Sequence, residues 1–483
     1  MTNTVITGKA LLEMGYPEAP VISMALQALV NKHSDDNNET LLFLLKDVLD
    51  IPEVYVNHEL LGMVAMELIR WRSVKAKIQM NDLTVPFSVF GREHIEDGAF
   101  AQMNQAARLP ISIRGALMPD AHAGYGLPIG GVLATENAVI PYGVGVDIGC
   151  RMCLSIFDID IKELADKQAQ FAREISEATL FGSGRYFDKL ASNEVLDRSE
   201  FDAIPLLKSL QSKAAKQLGS SGSGNHFVEF GIVEIPEADD VLGISAGSYI
   251  GLLSHSGSRG LGANIANYYT KIARQKRVLP EEASNLAWLD LDEQEGIEYW
   301  IAMNLAGDYA SACHHVIHEK IARQLGRQPI KMVENHHNFA WKEIHDGREL
   351  IVHRKGATPA GKNVLGIIPG SMTAPGFIVK GKGSIDSLSS AAHGAGRKMS
   401  RTNALKLMNH QLLKETLAAA GVKLLDGGLD EAPQAYKDIN VVMNDQTELV
   451  DIVGKFIPKI VKMDGAAPKK WRNKKAQESV DGE

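Results

Sequence analysis

Seven glycines fall within the 36 residues from Met118 to Cys153, MPDAHAGYGLPIGGVLATENAVIPYGVGVDIGCRMC. Glycine loses more backbone freedom on folding than any other residue, so this density implies tight turns and close backbone packing rather than regular helix. Into that backbone the chain sets Asp120-x-His122 and Asp147-x-x-Cys150. A carboxylate, an imidazole and a thiol share one obvious use, which is to hold a divalent metal.

The chain has 483 residues, a length that on its own allows about three domains. Its hydrophobic content of 45% and charged content of 23% are ordinary for a protein with a sizeable core. A formal net charge of −8 argues against a general nucleic-acid coat. Three cysteines, Cys150, Cys153 and Cys313, build no even-numbered disulfide framework and fit a reducing compartment. The first residues lack a basic stretch followed by an apolar core, and no run of eighteen apolar residues occurs. The expectation is a cytoplasmic protein that does not enter a membrane.

Apolar spacing of three and four predicts helices at Pro20–Val30, Thr40–Leu49 and His58–Trp71, with a polar linker from His33 to Glu39. No reactive cluster stands out there, so residues 1–82 are expected to be a helical extension. The texture changes at Asp82, with a strand expected at Val85–Phe90 and a helix at Asp97–Arg108, ended by Leu109-Pro110. Beyond the glycine-rich centre, GSSGSGNHFVEF (219–230) delivers Asn225-His226 to the start of a strand; its glycine turn reads either as a phosphate cradle or as a plain flexible loop. IGLLSHSGSRGLG (250–262) is an apolar strand broken by His255, and helices are expected at Ala263–Arg277 and Glu293–Leu325. His314, His315 and His318 in the second helix have no obvious partner motif and are expected to be core or surface histidines.

His353-Arg354-Lys355 places phosphate-competent groups at a strand end. His393 stands between alanine and glycine in AAHGAGRKMSR, which leaves its ring open to a bulky reactant, as a nucleophile requires. From Lys455 to Lys475 eight basic residues face one acid, Asp464, with Trp471 among them; this basic patch suits phosphate.

Asp147, Cys150, His226, His255 and His337 lie in separated segments, each with small residues nearby. One thiolate with imidazoles and a carboxylate suits Zn²⁺, Mn²⁺, Fe²⁺ or Co²⁺. A structural zinc site would favour paired C-x-x-C motifs, and Cys150/Cys153 is the sole such pair. Two clustered cations could clamp a phosphoryl group while His393 attacks phosphorus and Arg354, Lys355 and Arg397 balance its charge. No P-loop is present. Residue chemistry therefore leads to metal-dependent phosphoryl or nucleotidyl transfer and does not name a substrate.

Eight motifs occur in order: MPDAHAGYGLPIGG, GVGVDIGC, GSGNHFVEF, HSGSRGLG, HRKGAT, IPGSM, HGAGRKMSR and EAPQAYKDIN. Together they resemble the RtcB family of RNA-splicing ligases, over roughly Asp82 to Lys462. The resemblance implies an α+β protein with one large ligase core over residues 83–483, carrying a basic tail from about residue 463, in place of three domains. It implies joining of RNA ends bearing a 2′,3′-cyclic phosphate or 3′-phosphate to a 5′-hydroxyl, in RNA repair, splicing or tRNA processing, with GTP and two Mn²⁺ ions. By the same resemblance Asp147, Cys150, His226, His255 and His337 match the manganese ligands, with Cys150 bridging. His393 matches the histidine that takes GMP covalently. Asn225, Glu229, Ser371, Gly394, Gly396, Tyr436 and Lys462, with His393, are the nucleotide-binding matches. An activating protein partner is left open.

Two departures stand out. Arg151 follows the metal-site cysteine where the family usually has glycine, and a basic extension follows Lys462. Two other functions remain open at this point: an RNA end phosphatase or cyclic phosphodiesterase working without GTP, and a non-catalytic RNA-binding protein with a structural metal.

Overall fold

The computed structural model describes residues 6–17, 20–30, 38–74 and 78–465. It divides into two units, Met1–Ile78 with Gln275–Pro280, and Gln79–Arg274 with Glu281–Glu483. The first unit contains the helices Gly8–Met14, Pro20–Val30, Asn38–Asp50 and Gly62–Val74. Their apolar faces meet in a core of Leu11, Val21, Ala25, Leu45, Val48, Val64 and Leu68. The third predicted helix starts four residues late. Pro52–Tyr55 forms a 3₁₀ turn, and His58 Nδ1 lies within hydrogen-bonding distance of the Leu60 and Leu61 backbone N–H groups. Of the expected linker, residues 33–37 lie outside the described residues, as does the basic tail beyond 465.

The second unit mixes strands and helices and is of the α+β class. Its centre is an eight-stranded sheet. The strand order is Leu365–Ile368, Gly376–Gly381, Val450–Met463, Phe227–Ile235, Gly247–Ser256, Arg151–Phe157 and Lys331–His336, and Lys423–Asp426 pairs alongside Val450–Met463. The two ends of this order nearly meet. Asn335 accepts from the Ile367 N–H (2.8 Å) and donates to the Ile367 carbonyl (3.2 Å). Its side-chain amide thus takes the place of a backbone ladder step, and the sheet becomes almost a barrel.

Side chains alternate across a strand with period two, and that alternation divides the chemistry. Met152, Leu154 and Ile156 point inward with Val233, Leu253, Val333, Ile378 and Phe456. On the other face Phe157, Phe230 and Leu252 pack with Phe171, Ile175, Ile317 and Ile321. These last four come from the helices Gln168–Ala178 and Gln294–Leu325, the second 32 residues long. A five-stranded sheet lies beside it, ordered Phe87–Val89, Ser112–His122, Ile129–Thr135, Arg348–Lys355 and Asn338–His345. The first half of the glycine-rich stretch supplies the end of the strand Ser112–His122 and all of Ile129–Thr135. Among the described residues no helix is long and apolar enough to cross a membrane.

Candidate active site

Five donors converge where the inward face of the barrel opens. Cys150 Sγ lies 3.1 Å from His255 Nε2 and 3.4 Å from His226 Nε2. His255 Nε2 lies 3.2 Å from His337 Nε2, and His226 Nε2 lies 3.0 Å from Asp147 Oδ2. All five residues are buried. His255 Nε2 faces another ring nitrogen and a sulfur, a poor arrangement for hydrogen bonding but a sound one for ligating a cation, and the Asp147 carboxylate beside His226 adds the negative charge that a cation favours. Burial holds His255 and His337 well below the usual histidine range, so both rings are neutral, the form a metal requires. The donor set therefore fits a divalent metal.

The sequence provides for this locally. The Asn225 carbonyl lies 3.2 Å from His255 Nδ1; accepting that N–H leaves the Nε2 lone pair free for a cation. Gly222 packs so close to the His226 ring that a Cβ there would collide with it. The serine-glycine turn of 219–224 thus serves at least to seat the His226 ring.

Beside this centre, His393 sits with its ring 4.9 Å from that of His337. Asp120, fully buried, places Oδ2 2.6 Å from His393 Nδ1 and 3.1 Å from the His393 backbone nitrogen. A carboxylate at Nδ1 fixes the tautomer that carries its hydrogen there, and Nε2 keeps a free lone pair. Gly396, at φ +71°, is required because a Cβ would strike the Asp120 carbonyl. The first reading of Asp120 as a metal donor is therefore corrected: it orients a histidine. The period-two spacing of Asp120 and His122 on a strand was the available signal, but the partner lies 273 residues away.

A cleft runs from His393 and His337 into the barrel mouth. Asn225, Glu229, Ser371, Gly394, Gly396 and Tyr436 all line it, with Phe227, Met372, Val461 and Met463 as apolar walls. Burial pushes the Glu229 carboxyl well above its ordinary range. Tyr436 hydrogen-bonds Glu431, and the Arg397 guanidinium stacks 5.1 Å over its ring. Lys462 is the exception. Its neighbours Val461 and Met463 face the cleft, while its Nζ donates to the carbonyls of Ser176 and Thr179 (both 3.2 Å) at the end of the helix Gln168–Ala178. Period two turns it away from the cleft.

The cations of HRKGAT also separate. Arg354 is fully buried, bonded to Glu343, Ser390 and the Leu388 carbonyl and stacked on Trp341, so it holds the scaffold and does not face a reactant. His353 lies between the Leu133 carbonyl and the Ile140 N–H. Lys355 alone reaches the site, in a small cavity with Cys150, His337, Asn338 and His393. Burial lowers it to about 7, and Nζ donates to the Tyr125 carbonyl at 2.6 Å.

His314 and His318 are core histidines, as expected. His314 Nε2 faces the Ser256 carbonyl (3.1 Å) and must donate to it, so its Nδ1 accepts from Ser254 Oγ at 2.6 Å. Ser254 Oγ then accepts from His318 Nε2 (2.7 Å), and His318 Nδ1 accepts from Ser155 Oγ (2.7 Å). Cys153 Sγ lies 4.0 Å from His318 Nδ1. These donors cluster closely enough to hold a metal, but every histidine nitrogen already has a hydrogen-bond partner.

Fold and site together have the form of an α+β enzyme with a candidate metal centre. The family model for tRNA-splicing ligase RtcB matches residues 102–206 and 200–464. The chain is 34% identical to the RNA-splicing ligase RtcB of Escherichia coli K12 over 392 residues, covering 74% of this chain and 92% of that one. It is 30% identical to the tRNA-splicing ligase RtcB of Nanoarchaeum equitans, covering 78% and 94%, and 29% identical to that of Thermococcus kodakarensis, covering 80% and 95%. This chain belongs to the RtcB family.

Proposed function

We propose that this protein is an RNA ligase that joins a 2′,3′-cyclic phosphate or 3′-phosphate end to a 5′-hydroxyl end, using GTP and Mn²⁺. The observation that carries the reading is His393. A ring with Nδ1 held by Asp120 and Nε2 free stands between the Cys/His/Asp centre and a cleft lined by polar and apolar side chains. Nε2 attacks the α-phosphorus of GTP, the bond to pyrophosphate breaks, and GMP remains on the ring. On a cyclic-phosphate end, water first adds to phosphorus and the bond to O2′ breaks, leaving a 3′-phosphate. GMP passes to that 3′-phosphate, which gains a leaving group, and the 5′-hydroxyl then displaces GMP as the new phosphodiester forms.

Asp147, Cys150, His226, His255 and His337 would hold the metal, with two ions as the family resemblance implies. Bound divalent ions supply Lewis acidity and charge screening at the phosphates. Asn225, Glu229 and Ser371 supply polar contacts along the cleft wall, and Tyr436 with Arg397 closes its far side. A second cleft shares His122, Ile129 and Arg397 with the first and adds Glu96, Lys398 and Arg401. Arg397 and Arg401 pair with Glu431 and Asp430, so this approach carries mixed charge, with Lys398 as a group suited to an RNA phosphate. The roles in RNA repair and splicing, an activating partner and a cytoplasmic location extend the same proposal.

The test is the intact-protein mass after incubation with GTP and Mn²⁺. A GMP-sized gain is expected in the wild type and none in His393→Ala. Absence of the adduct in metal-loaded wild type would refute the covalent mechanism.

A further inference from the structure

Arg151 directly follows the ligand Cys150 and is almost fully buried, and each of its three guanidinium nitrogens is committed. Nε donates to the Gly149 carbonyl (3.2 Å) and Nη2 to the Gly307 carbonyl (2.8 Å), while Nη1 pairs with Glu334 Oε1. Glu334 is tied in turn to the helix Gln294–Leu325, accepting from Ser311 Oγ at 2.8 Å and bonding His315 Nε2 at 2.9 Å. Burial alone would raise the Glu334 carboxyl, but the bond to His315 and the charge of Arg151 hold it well below the carboxylate range.

What these contacts join is specific. Gly149 and Cys150 belong to the loop that carries Asp147, and Glu334 lies three residues before His337. The same two segments touch through Gly149 N to Asn338 O (2.7 Å) and His337 N to Cys150 O (3.0 Å). Gly149 also approaches Gly307 so closely that a Cβ would come within 2.8 Å of the Gly307 Cα. A planar fork with fixed donor directions is what three acceptors on three segments require, and a lysine cannot span them.

We infer that the Arg151–Glu334 pair is a positioning device for the metal centre: it sets the separation between the Cys150 loop and the His337 strand, using the long helix as a fixed stop. This rests on the metal reading of the five donors. Groups that orient metal ligands from behind typically govern affinity by about 10–100-fold.

The experiment is a Co²⁺ titration of the metal-free full-length protein, following the thiolate-to-Co²⁺ charge-transfer band. It compares wild type, Arg151→Met, Arg151→Lys, Glu334→Gln and a Cys150→Ser control, with thermal midpoints recorded alongside. Arg151→Met is expected to weaken Co²⁺ binding about 10–100-fold and to alter the band, with Arg151→Lys intermediate because it keeps the charge but not the fork. Glu334→Gln should shift affinity in the same direction. If the three variants lose thermal stability but keep wild-type affinity and spectrum, the pair is only structural and the inference is overturned. Should Arg151→Met fail to fold, Arg151→Lys and Glu334→Gln decide between the same two results. A wild type with no Cys150-dependent band would instead overturn the metal reading itself.

Discussion

At the scale of single residues, the proposed reaction depends on which nitrogen of His393 carries its hydrogen. Asp120 settles this through a 2.6 Å contact to Nδ1. Because the same oxygen also accepts from the His393 backbone N–H, an asparagine would keep an acceptor at that place, whereas alanine removes it and leaves the ring hydrogen unheld. Asp120→Ala is therefore expected to slow GMP adduct formation by up to about 10⁴-fold, the size of effect when a catalytic histidine loses its orienting carboxylate. Adduct mass against time checks it, and a rate within threefold of wild type would show the carboxylate to be dispensable. His393 itself was legible in the sequence as an open histidine between small residues. Asp120 was seen as reactive but given the wrong partner, because a contact across 273 residues has no local signature.

At the scale of elements, strand alternation decides which side chains do chemistry. Met152 and Leu154 face the barrel interior, whereas Cys153 and Ser155 lie on the opposite face, where Cys153 and Ser155 approach His318 of the long helix. Val461 and Met463 line the cleft while Lys462 caps the end of the Gln168–Ala178 helix. Barrel closure is likewise an element-level event centred on Asn335. Asn335→Leu would leave the Ile367 N–H and carbonyl without their side-chain partner, at about 1–3 kcal/mol per orphaned group. The expected result is a urea midpoint shifted down with little change in slope, and an unshifted midpoint would mean the barrel edge finds another partner. The helices Pro20–Val30 and Asp97–Ala107 were readable to within one residue because their periodicity is local. The start at Gly62 was misplaced because a 3₁₀ turn and the His58 side chain occupy the preceding residues.

For the molecule as a whole, buried neutral histidines link stability to pH. Burial lowers His314 to about 4, His318 to about 3 and His353 to about 4. In the unfolded chain each takes up a proton below about 6.5 while the folded ring stays neutral. The stability they contribute is thus fully present above about pH 6.5 and falls as the pH drops toward their folded values. Each adds a slope of up to about 1.4 kcal/mol per pH unit. Urea midpoints measured from pH 7 to pH 5 on metal-free protein should fall steeply, and a flat profile would contradict the buried neutral assignment. By itself, the sequence determined the inventory: the order of the motifs, the family they mark, the helical start, the five candidate metal donors and the open histidine. Those are matters of residue type and short-range spacing, which the chain carries at every point along its length. Only the tertiary structure decided that Asp120 serves His393, that Arg354 is consumed in the scaffold while Lys355 reaches the site, that Lys462 turns away, and that Arg151 braces the Cys150 loop. Those outcomes follow from strand register and sheet closure, which set the direction of every side chain on a strand at once, and register is a property of paired segments rather than of any one of them.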